Sequence, residues 1–115
     1  EMLPTLPANG AQHFGIFCGE TGEPVSFEAL LAAAEVCDVV VLGECHDDPI
    51  AHSIEALTLI SLAARRDHVA LSLEMFERDT QPVLDEYLAG LIRPADFLQD
   101  ARPWANYQKD YAPLV

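Results

Sequence analysis

Basic residues are scarce in this chain. Six lysines and arginines stand against nineteen acids, giving a formal charge of −13 over 115 residues. Such a surface repels a phosphate backbone and offers few cations for counterion release, so nucleic acid is not an expected partner. Long apolar runs are missing as well. Stretches such as residues 39–42 fall far short of the roughly 20 residues that cross a bilayer, so no membrane span is expected. Cysteine is sparse and odd in number. Cys18, Cys37 and Cys45 make neither a Cys-x-x-Cys pair nor an even disulfide set, which leaves at least one thiol over. Walker, Rossmann and nucleophile-elbow patterns are absent, as is zinc-finger spacing. No signal peptide or lipobox is visible at the start, although Glu1 follows no initiator Met, so a processed leader is compatible with the sequence.

What is present is a globular composition, half apolar and of single-domain length. Residues 1–12, with Pro4, Pro7 and Asn9-Gly10, read as an extended lead-in, and residues 13–115 as the N-terminal part of one α/β domain. Phe14, Ile16 and Cys18 alternate up to Glu20-Thr21-Gly22-Glu23 before Pro24-Val25 resumes, the pattern of a short β-ribbon. Ser26 is placed to cap a helix carrying Leu30, Leu31 and Ala34 on its inner face and ending at Cys37-Asp38. Residues 39–42 and 69–73 are continuous apolar runs without polar alternation, the signature of strands buried on both faces. Between them Asp48-Pro49 opens a helix to about Arg66, with Ile50, Ile54, Leu57 and Ile60 or Ser61 inward. Strand, helix, strand predicts a parallel βαβ core. Thr80 and Pro82 open a third helix that Gly90 ends, a short helix follows near Asp96 to Asp100, and Trp104, Tyr107, Tyr111 and Leu114 recur at helical spacing. Two parallel strands do not finish a doubly wound sheet, so the expectation is the front part of a larger, incomplete α/β domain.

Ligands of open α/β sheets gather beyond the carboxyl ends of the strands. Glu44 and His46 follow the first predicted strand, and Glu74 ends the second. These three are the candidate acid-base or metal-ligating residues, suited to Mn, Co or Zn. Glu74 has a plainer reading, as a helix cap or a partner of Arg78. His46 can also be a surface group, and His52, with Glu55 three residues on, a solvent-facing one. Cys45 lies between an acid and a histidine in the turn, whereas Cys18 and Cys37 read as small buried hydrophobes. Tyrosine can ligate ferric haem and flat rings line tetrapyrrole pockets, but aromatics spaced like Trp104, Tyr107 and Tyr111 are more commonly core packing.

The segments Val41-Leu42-Gly43-Glu44-Cys45-His46-Asp47-Asp48, Leu73-Glu74-Met75-Phe76 with Arg78-Asp79 and Gln81, and Trp104 with Tyr107 and Tyr111 occur in this order. Together they resemble the ChaN-like haem-binding uptake proteins, a resemblance that takes in all but the first dozen residues. It implies bacterial proteins of haem or iron acquisition, periplasmic or anchored outside the cytoplasm, with room for a lipid anchor upstream and for a homodimer. It also implies kinship with Tiki-type metalloproteases and erythromycin-esterase-like hydrolases, onto whose shared pattern Glu44, His46 and Glu74 map. Two functions follow from it. One is haem binding, with His52, Tyr107, Tyr111 and Arg78 as candidate cofactor-binding residues. The other is divalent-metal-dependent hydrolysis at Glu44, His46 and Glu74. Because a cluster of carboxylates is a poor host for propionates, porphyrin and acid cluster are expected to be separate.

Overall fold

Pairing begins where the sequence alternates. In the computed structural model, which describes residues 14–115, β1 (Ile16–Phe17) and β2 (Pro24–Val25) form an antiparallel pair with Ile16 opposite Val25. The loop between them closes through Cys18 N–H donating to the Glu23 carbonyl at 2.9 Å and Gly22 N–H donating to the Cys18 carbonyl at 2.8 Å. Gly22 sits at φ 73°, where a Cβ would be strained. The predicted lead-in of residues 1–12 lies outside the described residues.

The chain divides into two compact units, one running to Ala70 and the other starting at Leu71. In the first, Ser26 caps α1 (Phe27–Glu35) by accepting from Ala29 N–H at 3.1 Å, and Glu28 lies in the first turn, where the helix dipole favours an anion. Leu31 is the buried residue of this helix. Asp48 caps α2 (Pro49–Ala63) through one oxygen that accepts from Ile50 N–H at 2.9 Å and Ala51 N–H at 3.3 Å. Pro49 at the first helical position loses no hydrogen bond. Arg65 ties the two helices by reaching Glu28 at 2.9 Å and Glu35 at 3.7 Å.

The face α2 buries is not the expected one. Ile50, Ile54, Leu57 and Ile60 are only half-buried, while His52, Ala56 and Thr58 are buried. The apolar stripe on its own therefore mispredicts the inner side, because the polar turn that precedes the helix holds His52 inward, as shown below.

The parallel βαβ core does not form. The pairing of β1 with β2 is the one sheet among the described residues, and neither residues 39–42 nor residues 69–73 join a ladder. Val39 and Val41 are 77% and 84% exposed, which a strand covered on both faces could not be. Val69 and Leu71 are also exposed. The physical reason is that an apolar run specifies only a tendency to extend. A strand exists when a neighbour lies about 4.8 Å away to accept and donate its backbone bonds, and no described segment does so for either run.

The second unit is built on aromatic packing. Met75, Phe97, Ala101, Tyr107 and Tyr111 form its buried cluster. Residues 78–80 make a single 3-10 turn that leads into α3 (Gln81–Leu88). The Thr80 side chain does not cap α3; its hydroxyl donates to the Glu77 carbonyl at 2.7 Å. Gly90 ends α3 at φ 71°, with Leu91 N–H donating back to the Glu86 carbonyl at 2.9 Å, the six-to-one bond of a Schellman end. From α4 (Pro94–Asp100) Phe97 stacks on Tyr87 at 4.3 Å between ring centroids and meets Tyr107 edge-on at 5.8 Å. Tyr107–Tyr111 form a π-helical turn that buries both tyrosines, and Trp104 meets Tyr111 edge-on. The aromatic stripe is core, as its helical spacing suggests.

Candidate functional site

The polar centre of the first unit is assembled from one turn and the first two turns of one helix. Asp48 N–H donates to the Cys45 carbonyl at 2.9 Å, closing the turn that carries Glu44 and His46. Asp48 then starts α2, so His52 arises one turn into the helix and Glu55 three residues later on the same side. His52 is tied back across this junction by a ring nitrogen, Nε2, 3.2 Å from the His46 carbonyl oxygen.

A carbonyl oxygen can only accept, so Nε2 of His52 carries the hydrogen and donates it. In a neutral ring, Nδ1 would then present a lone pair. That Nδ1 lies 2.7 Å from Glu44 Oε2 and 3.4 Å from Glu55 Oε2. Two acceptors do not approach to 2.7 Å with nothing between them, so the position between Nδ1 and Glu44 belongs to a proton or to another cation. The groups concerned are well covered: the side chains of His52, Glu44 and Glu55 are 5%, 8% and 13% exposed. Glu44 serves a second imidazole as well. Its other oxygen, Oε1, lies 2.8 Å from Nδ1 of His46, whose side chain remains 54% exposed.

The electrostatics follow from this crowding. Burial alone pushes His52 down. The bond to the His46 carbonyl and the Glu55 and Glu44 carboxylates outweigh it, and the imidazole ends above its ordinary value. Burial, followed by the neighbouring Glu44 charge, lifts Glu55 above the usual carboxylate range despite the opposing pull of His52. A metal-ligand set consisting of Glu44, His52 and Glu55 has its donor atoms within 4.8 Å of one another.

The candidates read from the sequence distribute unevenly around this centre. Glu44 and His46 share the turn. His52, considered as a cofactor ligand, joins them instead of the tyrosines. Glu74 is exposed in a turn of the second unit, and the βαβ reasoning that set it beside Glu44 has no basis once neither strand forms. Arg78 is exposed. Gln81 donates to Asp85 at 2.8 Å along α3. Tyr107 and Tyr111 are 6% and 0% exposed, and burial raises the Tyr107 phenol, which opposes the tyrosinate that iron would need. Cys45 and Cys37 are exposed and Cys18 is half-buried, so neither Cys18 nor Cys37 is the buried hydrophobe expected. The residue sequence reasoning passed over is Glu55. Its signal was the three-residue spacing from His52 on one helical face.

Of the two imidazoles on Glu44, His46 is the exposed one and His52 the buried one. Glu44 on Nδ1 fixes the tautomer of His46 that puts the lone pair on Nε2. The helices are too short or too polar to cross a membrane among the described residues. No curated protein and no solved structure matched the chain in comparison. The family described as haem-binding uptake, Tiki superfamily, ChaN, matches residues 30–115, a span that begins within α1 and takes in the Glu44–His46 turn, α2 and the whole second unit, and the chain belongs to that family.

Proposed function

We propose that this protein binds haem as cargo in bacterial haem or iron uptake, in a periplasmic or membrane-anchored setting, with His46 as the axial ligand to iron. The observation that carries the reading is the half-exposed His46 imidazole, its Nδ1 held 2.8 Å from Glu44. Glu44 lies on the far side of the imidazole from the ligating Nε2, so its charge acts through the ring and away from the porphyrin rim. That placement meets the objection that carboxylates repel propionates. Tyr107 and Tyr111 would have to leave an aromatic core to reach iron, and His52 has each ring nitrogen turned toward a protein oxygen.

Hemin titration followed by the Soret band tests the assignment. His46→Ala is expected to weaken hemin binding at least tenfold, about 1.4 kcal/mol, and to remove the Soret shift of imidazole ligation. Tyr107→Phe and Glu74→Gln are expected to leave both unchanged. Unaltered binding in His46→Ala, with loss in Tyr107→Phe, would return the ligand to the tyrosines. The hydrolytic alternative rests on Glu44, His46 and Glu74 as metal ligands, whereas the groups that converge with Glu44 are His46, His52 and Glu55.

A further inference from the structure

We draw no further inference here: the strongest candidate, the exposed apolar run at residues 39–42 between α1 and α2, carries no proposal because nothing in the structure shows what covers it.

Discussion

The two units hold themselves together by different means. In the second, the buried residues are Met75, Phe97, Ala101, Tyr107 and Tyr111, with Thr80 and Asp110 as the polar exceptions. In the first, Leu31 and Ala56 are the buried apolar residues, and beside them stand His52 and Thr58. The same unit leaves Val36, Val39 and Val41 more than three-quarters exposed. Apolar burial is insensitive to pH, whereas an imidazole held between carboxylates depends on which protons are present. The second unit is thus a packing structure, and the first is organised around a polar junction.

The comparison is broken most sharply by removing its aromatic anchor. Phe97 is 1% exposed and stacked on Tyr87, so Phe97→Ala should destabilise the second unit by about 3–5 kcal/mol through lost transfer energy and the cavity left behind. Urea unfolding followed by Trp104 fluorescence measures it. A loss under about 1 kcal/mol would mean that this cluster is not the unit's core.

A smaller effect is expected at the helix that carries the site. Asp48→Ala removes the acceptor for two orphan amides of α2 and should cost about 1 kcal/mol. Because His52 and Glu55 ride on the first two turns, the same substitution should loosen the junction and broaden the His52 ring signals in NMR. Amide exchange in α4, in the other unit, should not respond.

The smallest effect is a slope with pH. His52 is raised above its ordinary 6.5, so the folded state binds that proton more tightly than the unfolded chain does. Its contribution is complete below pH 6.5 and is lost as pH rises through the higher folded value. Glu55, raised above its ordinary 4.5, acts in the same direction, with stability present at low pH and lost as the carboxyl ionises. In metal-free protein, protection of α2 amides should therefore decline from about pH 6 to pH 9 relative to α4. His52→Gln should flatten the upper part of that decline. A rise in α2 protection over this interval would contradict the proton placement.

How much was legible depended on how far along the chain the deciding interaction lies. The Ser26 cap, the Asp48-Pro49 start of α2 and the Gly90 terminus are set by atoms within a few residues, and each forms as expected. The pairing of Ile16 with Val25 was legible for the same reason, with a short loop between the strands. Residues 39–42 and 69–73 read as strands because valine and leucine favour extended, covered backbone, but composition supplies neither the neighbour nor the cover. The site was half legible. Glu44 and His46 stood out by their place in a turn, while Glu55 was passed over, since a glutamate on a helix is ordinarily a solvated one.

The sequence by itself determined the negative charge, the helix starts and stops, the aromatic periodicity that became the second core, and the family over residues 30–115. Those are properties of composition or of near neighbours, and the side chains that enforce them are adjacent in the chain. The tertiary structure alone decided that His52 turns inward in place of the isoleucines beside it, that one carboxylate of Glu44 reaches two imidazoles, and that Glu55 completes the set. These depend on the angle at which the turn meets α2, fixed by the Asp48 cap and the His46 carbonyl. No local propensity encodes where two ends of a bond six residues apart will meet in space.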